Sequence, residues 1–209
     1  MSEYKPAATP KRGWGMYLQA FFNADSIEVN NRGKSGASTR TFYETENLWP
    51  SVKRQMQAGD FLIIQFAHND EKCKGEDVYV QNAKLRAEGK DTLTDMRGTE
   101  PNTTYKEYLR RYINEAREMG VKPILMSPIC RVYFKDGKIN AEGRHDLSKD
   151  GIDKNYVRCM REVAEEMNVP FLDMTAKSME MYESAGQKTC MERYFNCGDK
   201  THTGQEGGM

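Results

Sequence analysis

One segment constrains the fold of this chain more than any other: the apolar run Phe61-Leu-Ile-Ile-Gln-Phe66, which directly follows the turn-forming pair Gly59-Asp60. A continuous apolar run of this length is typical of a strand that is buried on both faces of a parallel sheet. No run in the chain approaches the roughly 18 apolar residues that span a bilayer. The sequence therefore predicts a strand buried on both faces of a parallel sheet and no transmembrane helix.

Helix-like and strand-like segments alternate on either side of this run. Apolar spacing and turn residues predict helices over 14–22, 47–58, 102–120 and 154–167, and strands over 26–31, 61–66, 122–127 and 169–173. Asp136-Gly137, at the centre of 131–140, is typical of a β-hairpin turn. The alternation predicts one α/β domain over residues 1–209, with a central parallel sheet and helices on both faces in a three-layer α/β/α arrangement.

The charge balance and the cysteines exclude several classes of partner and cofactor. The 31 Lys and Arg residues equal the 31 Asp and Glu residues in number, so nothing favours a nucleic-acid or anionic-membrane partner. The five cysteines contain no C-x-x-C pair, which argues against a structural zinc site. Cys190 and Cys197 are near enough in sequence to form a disulfide, and free thiols are the alternative.

Three polar clusters follow predicted strand ends, where parallel sheets bind their ligands. The first cluster, residues 31–40, places Gly33 and Gly36 beside small hydroxyl residues, which lets backbone amides point at a ligand. A mobile turn is its alternative interpretation. In the second cluster His68, Asn69 and Asp70 end the most buried strand, and the alternative there is a turn at Asn69 with Asp70 as a helix cap.

The third cluster, residues 198–203, contains Asp199 and His202, three positions apart. A carboxylate at this spacing can accept a hydrogen bond from His Nδ1 and leave Nε2 to act as a base. A glycine turn, a side-chain amide and an oriented base are the parts of an acyl-transfer site, so we expect the three clusters to converge on one cleft. No G-x-S-x-G nucleophile motif is present. This chemistry needs neither a metal nor an organic cofactor.

The order of these clusters resembles three of the four sequence blocks of SGNH (GDSL-like) hydrolases. The spacing is most similar to the rhamnogalacturonan acetylesterase branch, carbohydrate esterase family twelve, and Gly13-Trp14-Gly15 is the segment that resembles this branch best. The resemblance implies a flavodoxin-like SGNH fold. It also implies that Gly36 N–H and the Asn69 side chain are oxyanion donors, that Asp199 is the orienting acid and that His202 is the general base.

The block that carries the serine nucleophile does not match this sequence. Members of the family have Gly-Asp-Ser-Thr at the end of their first strand, and Met1-Ser-Glu-Tyr4 resembles the residues that follow it. We therefore expect the first strand and its nucleophile upstream of Met1. We also expect that the closing helix which follows the catalytic histidine in the family is missing, and that these 209 residues alone are inactive. Ser2 is the alternative nucleophile, although no Gly-Asp precedes it. Any export signal is also expected upstream, because the resemblance implies a secreted or periplasmic protein.

The resemblance and the loop composition favour an acetylated carbohydrate as substrate. The loops over 71–100 and 128–151 contain polar and aromatic side chains instead of an apolar lid, and the residues concerned are Tyr79, Arg131, Tyr133, His145 and Asp146. The residues predicted to contact the substrate are His68, Asp70, Arg131 and His145, with a solvated loop histidine as the alternative for His145. Three other functions stay open: another ester substrate of the same fold, a carbohydrate-binding domain without a nucleophile, and a flavodoxin-like binding domain.

Overall fold

The computed structural model describes residues 4–5, 8–73, 84–85, 87–89, 97–146 and 153–209. These residues form two compact units, and each is described by itself. The sheet unit comprises Gly36–Pro128 and His145–Met174. The hairpin unit comprises Met1–Ser35, Ile129–Arg144 and Thr175–Met209. The prediction of a single domain stays a prediction.

The described elements alternate between helix and strand, as expected for an α/β protein. In chain order they are α1 (Thr39–Glu44), α2 (Trp49–Lys53), β1 (Phe61–Ile64), α3 (Lys106–Glu118), β2 (Lys122–Met126), β3 (Phe134–Lys135), β4 (Lys138–Ile139), α4 (Tyr156–Glu166), β5 (Phe171–Leu172), α5 (Met174–Thr189) and α6 (Gln205–Gly208). None of the helices in this part of the chain is both long and apolar enough to cross a bilayer.

The sheet unit is built on three parallel strands in the order β1-β2-β5. Phe61 pairs with Lys122 at the start of the first ladder, and Leu125 pairs with Phe171 in the second. The central strand β2 buries Leu125 completely. The parallel sheet and its alternation with helices confirm the predicted α/β fold class. The expected burial of the run at 61–66 on both faces is wrong: β1 lies at an edge of the described sheet, where Ile64 is buried but Phe61 is 67% exposed.

Helices α3 and α4 supply much of the core beside this sheet. Leu109 and Ile113 of α3 and Met160 and Val163 of α4 are fully buried in one cluster with Leu125. Their spacing by three or four residues places each pair on one helix face. Burial stabilises the fold by roughly 1.5–3 kcal/mol for each such side chain.

The carboxylate of Glu115 joins the first two helices of the sheet unit to α3. Its Oε2 accepts hydrogen bonds from Trp49 Nε1 at 2.9 Å and from Lys53 Nζ at 2.6 Å, and its Oε1 accepts from the hydroxyl of Tyr43. Burial opposes ionisation of Glu115, but these three donors hold its pKa below the usual range. One charged group thus connects α1, α2 and α3.

The hairpin unit contains the predicted β-hairpin, formed by β3 and β4. Asp136 and Gly137 connect the strands with φ values of 50° and 78°, the left-handed backbone that a two-residue hairpin turn requires. Ile139 N donates to Glu183 Oε1 of α5 at 2.9 Å, which fixes the hairpin against this helix. All five cysteines are free thiols, so Cys190 and Cys197 do not form the disulfide that their spacing allowed.

Two predicted elements differ from the structure, and the helix α5 was not predicted. The segment 14–22 forms two short 3₁₀ helices, Trp14–Met16 and Leu18–Phe21, instead of one α-helix. The segment 26–31 is not a strand, because the side chain of Gln19 hydrogen-bonds two of its backbone groups. Gln19 Nε2 donates to Ile27 O at 3.0 Å, and Gln19 Oε1 accepts from Val29 N at 2.7 Å. Gly186 interrupts the long helix α5 with a φ of 80°.

Candidate active site

Asp199 and His202 form a hydrogen-bonded pair in the hairpin unit, in the loop that precedes α6. The predicted contact is present: His202 Nδ1 lies 2.7 Å from Asp199 Oδ2. The other carboxylate oxygen accepts from the backbone N–H groups of Thr201 and His202 at 2.8 and 2.7 Å. With Nδ1 donating to the carboxylate, the lone pair of the imidazole lies on Nε2, which is the arrangement of a general base.

The surroundings of Asp199 keep its carboxyl group ionised. Partial burial favours the neutral acid, but the backbone amides of His202 and Thr201 and the ring of His202 together hold the pKa of Asp199 below its usual range. Lys11 adds a positive charge, with Nζ 3.2 Å from Asp199 Oδ2 and 3.1 Å from His202 Nδ1. Asp199 is therefore a charged acceptor for the histidine ring at neutral pH.

Backbone contacts fix the loop that carries this pair. Arg12 N donates to Thr203 O at 2.8 Å, and the hydroxyl of Thr203 donates back to Arg12 O. Val132 N donates to Lys200 O at 3.0 Å from the other side. Gly204 packs against the side chain of Asn196, and a Cβ there would lie 1.9 Å from Asn196 Oδ1, so a larger residue would need that side chain to move. The ring of His202 is thus attached to a loop held at several points.

Asp70 is the centre of the candidate oxyanion site in the sheet unit. Its side chain is fully buried, and its carboxylate accepts from Thr39 N at 3.1 Å, Thr39 Oγ1 at 2.5 Å and Thr99 Oγ1 at 2.7 Å. Burial raises the pKa of Asp70 to about 6, against the opposing effect of these donors. This geometry favours a structural role for Asp70 in place of the predicted contact with substrate, since no part of the carboxylate reaches solvent.

The contacts of Asp70 bring together the two predicted oxyanion donors, Gly36 and Asn69. Asn69 Nδ2 donates to Ala37 O at 3.0 Å, so the amide side chain lies against the glycine turn. Gly36 has a φ of +80° and is exposed, which places its backbone at the surface beside Asn69. Arg97 contacts both, with Nη1 3.2 Å from Asn69 Oδ1 and 3.4 Å from Gly36 O.

His145 lies inside the sheet unit and not in a solvated loop. Its side chain is fully buried, and Nδ1 lies 2.5 Å from Glu71 Oε1. The ring packs edge-on against His68, with 4.4 Å between the ring centroids. The solvated alternative for His145 is therefore wrong, and the pairing with Glu71 favours a structural role. His68 is half-buried and is the member of this histidine pair with surface for a ligand.

Arg131 is buried in the hairpin unit, where its backbone N–H donates to Gly143 O at 3.0 Å and its Nη1 lies 3.4 Å from Glu142 O. The predicted substrate contact of Arg131 therefore has little side-chain surface to support it. Ser2 and Tyr79, the alternative nucleophile and a predicted loop aromatic, lie outside the described residues. In the described ranges, no three His, Cys, Asp or Glu side chains are grouped to hold a metal ion.

The sequence indicated no role for Arg97 or for Lys11. Both residues contact predicted site residues that are distant in sequence: Arg97 is 28 residues from Asn69, and Lys11 is 191 residues from His202. Neither belongs to a periodic pattern. The only local sequence feature at this position is the glycine that follows Arg97. The structure explains this glycine, because a Cβ on Gly98 would lie 2.2 Å from Cys73 N.

Curated proteins that are similar to this chain over most of its length include three rhamnogalacturonan acetylesterases or probable ones. The rhamnogalacturonan acetylesterase RhgT of Bacillus subtilis is 27% identical over 221 residues, which cover all of this chain and 81% of RhgT. The probable rhamnogalacturonan acetylesterase YesY of the same species is 28% identical, over 96% of this chain and 79% of YesY. The rhamnogalacturonan acetylesterase of Emericella nidulans is 24% identical, over 96% and 75% of the two chains.

The crystal structure of protein YxiM from Bacillus subtilis has the same fold. It superposes with a TM-score of 0.70 at 20% identity, and the match covers all of this chain. The chain spans about half of that structure, 49% of its length. The model of the GDSL-like Lipase/Acylhydrolase family matches residues 3–207. The chain therefore belongs to the GDSL-like lipase/acylhydrolase family.

Proposed function

We propose that the protein removes acetyl groups from a rhamnogalacturonan-type polysaccharide or its oligosaccharides. The observation that carries this proposal is the hydrogen bond from His202 Nδ1 to Asp199 Oδ2, because it leaves Nε2 to act as a base. The chain also belongs to a lipase/acylhydrolase family, and ester cleavage by a serine uses such a base. The polysaccharide is taken from the relatives, which are named for acetyl ester cleavage on rhamnogalacturonan.

The proposed reaction is acyl transfer through a serine. His202 Nε2 takes the proton of the serine hydroxyl as the oxygen attacks the acetyl carbonyl, and Asp199 stabilises the imidazolium that forms. The N–H of Gly36 and the Nδ2–H of Asn69 donate to the developing oxyanion. The sugar hydroxyl leaves with the proton from His202. Water then cleaves the acetyl-serine in the same way and releases acetate.

Asn69 has a donor left for this role. Within the described part of the chain its Nδ2 donates to Ala37 O alone, and an amide nitrogen carries two hydrogens. The nucleophilic serine is not among the residues described above. From the resemblance, we propose that it lies in a Gly-Asp-Ser-Thr block N-terminal to residue 1. The convergence of Gly36, Asn69 and His202 on one acetyl group stays a prediction.

The experiment compares the 209-residue chain with the same chain extended by the codons upstream of Met1. Both proteins are assayed with p-nitrophenyl acetate and for acetate release from acetylated rhamnogalacturonan and acetylated xylan fragments. We expect turnover from the extended protein, with preference for rhamnogalacturonan, and none from the 209 residues. In the extended protein His202→Ala abolishes turnover and Asn69→Ala lowers kcat on the order of 10²-fold.

The matched control is Asn114→Ala, on an exposed position of α3, which should leave kcat unchanged. Turnover that neither His202→Ala nor Asn69→Ala affects contradicts the assignment. Turnover by the 209-residue chain that Ser2→Ala removes would show that the upstream serine is wrong. Binding of the polysaccharide by the extended protein without acetate release would favour a carbohydrate-binding role.

A further inference from the structure

We infer that Arg97 is a positioning residue for the proposed oxyanion donors. Its Nη1 lies 3.2 Å from Asn69 Oδ1 and 3.4 Å from Gly36 O, so one guanidinium nitrogen contacts both segments that carry these donors. The inference rests on the proposed function, because Asn69 and Gly36 have that role only in ester hydrolysis.

The contact with Arg97 determines how the amide of Asn69 is oriented. A guanidinium only donates hydrogen bonds, so the atom of Asn69 that faces it must be the oxygen. The Ala37 carbonyl only accepts, so the atom that lies 3.0 Å from it must be the nitrogen. Both contacts select the same orientation of the side chain. The remaining hydrogen on Nδ2 is then held in a fixed direction, as a donor to an oxyanion must be.

The position of Arg97 is built into the sheet unit. The next residue, Gly98, packs so closely that a Cβ would lie 2.2 Å from Cys73 N and 2.3 Å from Cys73 Cα. Thr99 follows, with its N–H donating to Asp70 O at 3.1 Å and its hydroxyl to Asp70 Oδ1 at 2.7 Å. These contacts fix the backbone on one side of Arg97, so its side chain reaches Asn69 from a defined point.

Arginine suits this role better than lysine. The guanidinium is planar and directs its N–H groups in fixed directions, whereas the three N–H groups of an ammonium rotate freely at the end of a flexible stem. Its charge also polarises the amide through Oδ1, which strengthens the N–H of Nδ2 as a donor. Arg97→Lys therefore keeps the charge and loses the geometry, and Arg97→Met loses both.

The test is a double-mutant cycle between Arg97 and Asn69 in the extended protein, with acetylated rhamnogalacturonan as substrate. Arg97→Met should lower kcat about 10-fold, less than loss of the donor itself, with KM within about twofold. Arg97→Lys should recover part of kcat. In the Asn69→Ala background, Arg97→Met should cause no further loss, because the group that it positions is gone. Arg54→Met, at an exposed position, is the matched control.

A second measurement needs no turnover and uses the 209-residue chain. The side-chain amide of Asn69 is assigned by its loss from the ¹H–¹⁵N spectrum of Asn69→Ala. In Arg97→Met we expect its resonances to shift and its hydrogen exchange to accelerate, while the Arg54→Met spectrum matches the parent. The inference is overturned if Arg97→Met leaves the resonances and the hydrogen exchange of the Asn69 side-chain amide unchanged. It is also overturned if the loss of kcat in the double variant equals the product of the two single losses. A shifted amide in a protein without esterase activity supports the positioning and contradicts the proposed function.

Discussion

Asp70 Oδ1 accepts a hydrogen bond from Thr99 Oγ1 at 2.7 Å, across 29 residues of the chain. The same carboxylate accepts from the backbone and hydroxyl of Thr39, at the start of α1. Three segments, around residues 36–39, 69–70 and 97–99, are thereby joined by one buried charged group. The arrangement of Gly36, Asn69 and Arg97 depends on this junction.

The first prediction concerns the pH dependence of stability that Asp70 contributes. Burial raises its pKa to about 6 from the ordinary 3.8. Between these pH values the folded protein holds a proton that the unfolded chain has released, so the free energy of unfolding falls as pH rises from about 4 to about 6. The contribution is on the order of 2 kcal/mol. Urea unfolding of the parent and of Asp70→Asn at pH 4, 5, 6 and 7 measures it.

In Asp70→Asn this fall with pH should be missing, because an amide does not titrate. The difference in the free energy of unfolding between the two proteins could instead stay constant from pH 4 to pH 7, or the parent could become relatively more stable as pH rises. Either result would show that Asp70 is already ionised at low pH in the folded state.

The second prediction concerns the tautomer of His202. In Asp199→Asn the new side chain can place an N–H donor opposite Nδ1, which moves the ring proton to Nε2 and removes the base. We expect kcat of the extended protein to fall about 10⁴-fold with little change in fold. Steady-state kinetics and the ¹⁵N shifts of the His202 ring measure the two effects. Full turnover with Nε2 protonated would contradict the assigned role of His202.

The third prediction concerns the close approach of Gly98 to residue 73. An alanine Cβ there would meet backbone atoms, which cannot rotate away as a side chain can, so the segment 97–99 must move. We expect Gly98→Ala to lower the free energy of unfolding by about 1–3 kcal/mol and to reduce kcat by displacing Arg97. Thermal unfolding and kinetics measure both.

Gly137→Ala is the contrast for this substitution. Its Cβ has no atom within 4 Å, but its φ of +78° strains an L residue, so it should cost about 1 kcal/mol and leave kcat unchanged. Equal effects of the two substitutions on kcat would show that Gly98 has no part in placing Arg97.

The fourth prediction concerns Glu115, which connects α1, α2 and α3. Glu115→Gln removes the charge that accepts from Trp49 and Lys53 and turns one oxygen into a donor, so at least one of the present donors loses its partner. We expect the free energy of unfolding to fall by about 1–3 kcal/mol. The control is Glu118→Gln, exposed on the same helix, which should change it by less than about 0.5 kcal/mol. Urea unfolding of both variants checks this, and equal losses would contradict the role of Glu115.

Elements with strong local signals were predicted from the sequence. The run at 61–66 gave β1, and Asp136-Gly137 gave the turn of the hairpin, because the first needs only its own apolar side chains and the second only its own backbone. The segment 26–31 has comparable strand residues, but Gln19 bonds its backbone from outside the segment. A pattern confined to the segment does not contain that information.

The candidate site was predicted in part for the same reason. The Asp199–His202 contact lies within three residues, so its spacing alone predicted it. His145 is buried and contacts Glu71, 74 residues away, and the polar loop around the histidine gave no sign of this contact. The position of Arg97 likewise depends on its neighbours, because Gly98 packs against Cys73 and Thr99 bonds to Asp70, and no local pattern records these contacts.

The enclosed position of Asp70 affects how a mutational survey of this protein would be interpreted. An alanine scan scored only by acetate release would group Asp70 with His202, because loss of either is expected to stop turnover. Yet the Asp70 carboxylate has no surface on which a sugar could rest. Only a scan that also scores the amount of folded protein would separate the residue that holds three segments together from the residues proposed to act on the ester.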